Sequence, residues 1–339
     1  MPIQFAEWTS GAVAQCASPG QDGACPSSFW GELLSSAIFP TVPHLKKFLI
    51  ASAGVTLAML PLLVPFFSFS LENTLYSHVI LIPFVSAYFI YLRREKFEAN
   101  LGGIQWLAVV TLLGAGASLY YRLAGQPASP ENAMAAVAFA YVACIWTAAL
   151  LTLGRANLKR LLFPLLFLLF IIPFPTQVEA GIERFLQYGS AECAYGMFSL
   201  ADTTLYREGL VFNLPGISLQ VAPECSGIRS SLVLLITSIV GGQLFLRSKV
   251  NRVALALFVI PLALVRNGFR VFVLGELCVH VGPHMIDSAI HHQGGPIFFL
   301  LSLIPFFGFV WLLMKWERRK GAADGIAGKP ASESSSSGV

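Results

Sequence analysis

A cysteine, a pair of arginines and a pair of histidines stand at positions where their chemistry could be combined. Cys225 lies in the run Ala222-Pro223-Glu224-Cys225-Ser226-Gly227-Ile228-Arg229-Ser230-Ser231, after a strand-like segment and just before an apolar run. A thiol at a helix N-terminus faces unpaired N–H groups and the positive end of the helix dipole, which lowers its pKa and populates the thiolate. Ser226 or Ser230 is placed to cap that helix, and Gly227 lets backbone approach whatever binds at the sulfur. Arg229 adds a positive charge beside the thiol, or is an interface residue. Arg266 and Arg270, in Arg266-Asn267-Gly268-Phe269-Arg270, are four residues apart and share a helix face. A guanidinium is a fixed donor array suited to a carboxylate or a developing oxyanion; Arg266 reads equally as a residue that snorkels or pairs locally. His291 and His292, in Ile290-His291-His292-Gln293-Gly294-Gly295, offer imidazole for proton exchange near neutral pH.

These groups must be positioned by elements that live in lipid. Of 339 residues, 55% are apolar and 12% charged, against roughly 25% charged in soluble domains. Apolar runs long enough to span, or nearly so, fall at 48–70, 75–92, 104–123, 132–153, 161–175, 229–246, 253–273 and 296–314, which predicts eight transmembrane helices. With both termini in the cytoplasm, the inner segments hold Lys46, Lys47, Arg93, Arg94, Lys96, Arg155, Lys159, Arg160, Arg247, Lys249, Arg252, Lys315, Arg318, Arg319, Lys320 and Lys329, most of the 22 basic residues. Every short inner loop is then basic, as the positive-inside bias requires, and an odd number of spans would break the pattern. The first 45 residues lack Lys and Arg, so no cleavable signal peptide is expected.

Two regions fall outside. In 176–228, residues 177–200 read as a helix, and 208–222 as a hairpin turning at Asn213-Leu214-Pro215-Gly216, together a small extracytoplasmic cap. The second outer region, 274–295, is rich in Gly and His. The expected organisation is a leader at 1–47 of unassigned role, a membrane domain at 48–316, and a disordered cytoplasmic tail at 317–339. On this topology Cys225, Arg270 and His291 reach one depth on the outer face.

Over nearly all of 48–316 the chain resembles the exosortase/archaeosortase family. The resemblance rests on Tyr76-Ser77-His78 leading to Ile82-Pro83 and Arg93-Arg94, and on Leu161-Leu162-Phe163-Pro164 to Ile172-Pro173. It continues through Val221-Ala222 before Cys225-Ser226-Gly227, then Asn267-x-x-Arg270, and His291 four residues before Gly295. It implies an all-α polytopic protein of the bacterial inner membrane with its active site facing the periplasm. It also implies Cys225 as nucleophile, Arg270 and His291 as its catalytic partners, and no cofactor. The implied substrates are secreted proteins bearing a C-terminal sorting signal: a short motif, a transmembrane helix and a basic tail. Ser77, His78, Ser226, Gly227, Arg229, Arg266, Asn267 and His292 are candidates for contact with that substrate. His78 also reads as an ordinary interfacial residue. Partners are then the substrate and the bilayer, with no nucleic acid; the oligomeric state, the acceptor and the exact sorting motif stay open.

Other readings of the same residues compete. Cys144 reads as a buried apolar residue, and Cys193 or Cys278 could pair with Cys225. His280, His284, His291 and His292 with Glu276 and Asp287 would suit a metal-dependent intramembrane hydrolase, but Gly282-Pro283 interrupts the helical spacing of the first two histidines. No metal is therefore assigned. Chelator sensitivity with tolerance of Cys225→Ser would favour that hydrolase. A transporter or an assembly protein for surface polysaccharide is the non-enzymatic alternative. Against it, the intramembrane charge gathers at one face, not at the midplane, and no inverted repeat is visible.

Overall fold

The structure is a computed structural model that describes residues 43–94, 104–125, 127, 129–222, 226–282, 284–285 and 295–327. Among these residues the helices are α1 (Pro43–Ala58), α2 (Leu60–Glu72), α3 (Leu81–Leu92), α4 (Gln105–Ala124), α5 (Pro130–Thr152), α6 (Gly154–Phe167), α7 (Thr176–Leu200), α8 (Ile228–Phe245), α9 (Lys249–His280) and α10 (Gly295–Ala327). Short 3-10 helices cover Thr74–Ile80 and Leu168–Ile171, and strands β1 (Tyr206–Glu208), β2 (Val211–Leu214) and β3 (Ile217–Gln220) follow α7. The protein is an all-α polytopic membrane protein. Among the described residues six helical segments are long and apolar enough to cross a bilayer, and up to eight if each of two bent pairs, α1 with α2 and 154–171 with α7, is one span.

Several boundaries differ from the sequence expectation. The run 48–70 is two helices: Pro61 lacks an N–H and crowds the preceding turn, so α1 stops at Ala58, while Pro65 lies within α2. The run 161–175 is the end of α6, tightened to 3-10 geometry at 168–171 and stopped by Pro173 and Pro175. The run 253–273 is the middle of α9, which continues to His280; its 32 residues make about 48 Å of helix, longer than the hydrocarbon core is thick. The tail expected to be disordered from 317 is helical through Ala327.

The chain forms two compact units. The first comprises residues 1–66, 81–126 and 136–172. Here the Thr111 and Thr147 hydroxyls meet at 2.7 Å and Ser118 Oγ donates to the Ala136 carbonyl at 2.9 Å, around Ala115, Ala140 and Ala143. Small side chains let α4 and α5 approach closely, as membrane helix pairs do. Ser86 Oγ donates to the Pro164 carbonyl at 3.2 Å, and Phe89 packs edge-on to Phe163 at 4.8 Å.

The second unit, residues 67–80, 127–135 and 173–339, is built around α9. One half of α9 packs with α8 and α10 through Leu234, Leu255, Val259, Leu262, Phe306 and Val310. Its other half packs with α7 and the sheet through Ala191, Ala194, Phe198, Phe212, Leu214, Val271, Leu274 and Cys278. The sheet is an antiparallel meander, β1-β2-β3, with Arg207 opposite Phe212 and Phe212 opposite Leu219. The expected hairpin is β2–β3, turning at Pro215-Gly216 with Gly216 at φ 86°. Strand β1 is an addition: it is short and polar, carries no apolar alternation, and is held by Arg207 pairing with Glu192 of α7 at 2.7 Å.

Helix α7 matches the expected 177–200. Leu186, Gln187, Ser190, Ala191, Ala194 and Phe198 face inward, while Val178 and Phe185 are exposed. The close crossing of α7 and α9 explains this: a Cβ on Gly268 would lie 2.6 Å from Cys193 Cβ and 2.9 Å from the Ser190 carbonyl oxygen. Only small side chains fit between the helices.

Candidate active site

Helix α8 begins at a left-handed Gly227, φ 74° and ψ 17°. That conformation suits glycine, and a second constraint removes any alternative: a Cβ there would come within 3.1 Å of Asn267 Oδ1 and 3.2 Å of Arg266 Nη2. The Gly227 carbonyl accepts the Ser231 N–H at 3.0 Å, Ser231 Oγ at 2.8 Å and Ser230 Oγ at 3.1 Å. Ser230 therefore bonds back to the cap carbonyl and does not cap the helix. Ser226, 1% exposed, has its Oγ 3.5 Å from the Ile228 N–H, a long contact.

Beside this turn lies a cavity of about 650 Å³, wholly within the second unit. Ser226, Gly227, Arg229, Ser230 and Val233 form one wall and Arg270 of α9 another. Gly295, Pro296 and Phe299 from the start of α10, Leu75 of the 3-10 helix and Glu179 and Glu183 of α7 also line it. The described lining thus carries two guanidiniums and two carboxylates. Arg270 also borders a second, water-sized space against Val221 and Leu219 of the sheet.

Cys225, His291 and His292 lie outside the described residues. Ser226 and Gly295 are described. Ser226 follows Cys225 directly, and Gly295 is four residues after His291; four residues of chain reach at most about 14 Å. The structure brings Ser226, Gly227, Arg229 and Arg270 to one cavity. Arg266 and Asn267, candidates for substrate contact, are instead 7% and 3% exposed and sit behind the Gly227 turn. Arg266 Nη2 donates to the Gly227 carbonyl, and Asn267 Nδ2 donates to Ser190 Oγ of α7 at 3.1 Å. Ser77 and His78 are not among the described lining residues; His78 Nδ1 lies 3.1 Å from the Leu75 carbonyl oxygen of its own helix.

The carboxylates Glu179 and Glu183 were absent from the sequence-derived candidates. The available signal was their i,i+4 spacing in the first turns of a predicted helix, which places both on one face. Cys193 and Cys278 are free, and Cys278 is buried in the core of the second unit. Glu276 binds His280 at 3.0 Å and accepts the Thr203 hydroxyl. Among the described residues no three His, Cys, Asp or Glu side chains gather as a metal site.

Comparison with known proteins adds one match. A family model described as transmembrane exosortase matches residues 70–308, well over half of the chain and all of the cavity walls. No curated protein and no solved structure matches.

Proposed function

The chain belongs to the transmembrane exosortase family, a membrane-embedded sorting enzyme, and from that premise we propose that it is a cysteine transpeptidase or endopeptidase acting on C-terminal sorting signals. In this reading it sits in the bacterial inner membrane with both termini in the cytoplasm and its cavity open to the periplasm. Cys225 attacks the carbonyl carbon of a peptide bond in the signal. His291 receives the thiol proton, as a base or within a thiolate–imidazolium pair, and returns it to the amine that leaves. Arg270 stabilises the oxyanion or orients the signal. The C–N bond breaks, a Cys225 thioester remains, and an amine acceptor or water resolves it, freeing the thiol.

The observation that carries this reading is the shared cavity. Residues next in the chain to Cys225, the side chain of Arg270 and the helix start that follows His291 wall one space of about 650 Å³. Its mixed lining, with Leu75, Val233 and Phe299 beside four charged groups, suits a peptide that passes from apolar to polar surroundings. The test is mass spectrometry of a co-expressed secreted reporter carrying a motif, transmembrane helix and basic tail. Wild type should yield a truncated product whose new C-terminus identifies the acceptor, and Cys225→Ala should leave the reporter intact. Equal processing by Cys225→Ala sinks the proposal.

A further inference from the structure

Arg266 lies one helical turn along α9 from Arg270, yet the two arginines are held differently. Arg270 is half-buried and walls the cavity, whereas Arg266 is 7% exposed. Arg266 Nη2 donates to the Gly227 carbonyl at 3.3 Å and to Ser231 Oγ at 3.1 Å. Both acceptors belong to the first turn of α8, the positive end of that helix. A guanidinium buried there is electrostatically unfavourable by itself. Its Nη1 is also buried and has no acceptor among the described residues. An incompletely paired charge at membrane depth costs stability and marks function.

The mechanical link is short. Gly227 is pressed from behind by Arg266 and Asn267, and Asn267 is tied in turn to Ser190 of α7. Cys225 is two residues from Gly227, at most about 7 Å of chain. We infer that Arg266 is a positioning residue: it clamps the Gly227 turn against α9 and keeps a fixed positive charge behind that turn. This rests on the reading of Cys225 as nucleophile. Among the described residues, the charged groups that line the neighbouring cavity are Glu179 and Glu183 of α7, Arg229 of α8 and Arg270 of α9; Gly295, Pro296 and Phe299 of α10 are not titratable.

The test uses the full chain in proteoliposomes with two readouts. One is the pH dependence of iodoacetamide alkylation, followed by mass spectrometry of the Cys225 peptide. The other is kcat and KM for a synthetic signal peptide. Arg266→Met should lower kcat about 100-fold with KM within about threefold, the signature of a displaced reacting group. It should also raise the alkylation midpoint by about one pH unit, since a nearby cation favours the thiolate. Arg266→Lys should restore the midpoint but not kcat, keeping the charge and losing the planar fork. Ser231→Ala should lower kcat by about threefold to tenfold with the midpoint unchanged. Wild-type kcat and midpoint in Arg266→Met, or a raised KM at unchanged kcat, overturns the inference. If Arg266→Met fails to accumulate in the membrane, wild-type kcat in both Arg266→Lys and Ser231→Ala overturns it. Processing by Cys225→Ala would instead defeat the assignment of the nucleophile and leaves the alkylation result to judge Arg266.

Discussion

The Tyr76 hydroxyl donates to the Glu179 carboxylate at 2.7 Å, joining the 3-10 helix of residues 74–80 to the first turn of α7. Tyr76 is 1% exposed and Glu179 lines the cavity, so a buried donor fixes a carboxylate that faces the proposed substrate. Tyr76→Phe should cost about 1.5–3 kcal/mol of stability, the range for a hydrogen bond to a charged group. It should also raise KM with little change in kcat. Thermal unfolding in detergent and peptide kinetics check both; an unchanged melting midpoint with unchanged KM would refute the role given to this pair.

The three proposed catalytic residues should respond to substitution as a set. Cys225→Ala and Arg270→Lys should each reduce reporter processing by at least about 100-fold while the protein stays in the membrane. Arg270→Lys is expected to fail because an ammonium lacks the planar donor fork. His291→Ala should be far more damaging than His292→Ala, and quantitative immunoblots of membrane fractions checks both claims. A reversed order of the two histidines would reassign the base.

Glycines should separate by what surrounds them. Gly268→Ala places a methyl against backbone and Cys193 at the α7–α9 crossing, where nothing flexible can yield, and should destabilise by about 1–3 kcal/mol. Gly189→Ala meets only the end of the Leu264 side chain and should cost less. At Gly116 a Cβ meets nothing within 4 Å, so Gly116→Ala should be neutral or slightly stabilising. Unfolding midpoints of the three variants, compared in one detergent, should fall in that order.

Topology is checked by reporter fusions. Fusions at residue 125, within 195–215 and near 285 should read as external, and those near 97, 157 and 249 as internal. An external C-terminus would separate the cavity from a periplasmic substrate and remove the proposed function.

Particular residues show how far the sequence could be read. Cys225, Arg270 and the His291 segment were singled out by residue type and by their places at the ends of apolar runs; of these, Arg270 lines the cavity together with Ser226 and Gly295, and Cys225 and His291 lie outside the described residues. Helix 177–200 and the β2–β3 hairpin were legible from periodicity and turn residues. Strand β1 was not, because three polar residues carry no alternation and depend on the Arg207–Glu192 pair for their place.

What the sequence by itself determined is the class of the molecule, an all-α polytopic membrane protein, through apolar runs that only lipid can satisfy. These follow from transfer free energies and chain order, which are local properties. Tertiary structure decided what each polar group does. Arg266 and Arg270 are equivalent in sequence, four apart on one helix face, yet packing buries the first behind Gly227 and leaves the second on the cavity wall. Glu179 became part of that wall because Tyr76, 103 positions earlier, holds it there. Such roles depend on contacts between segments distant in the chain, and no pattern within either segment encodes the distance between them.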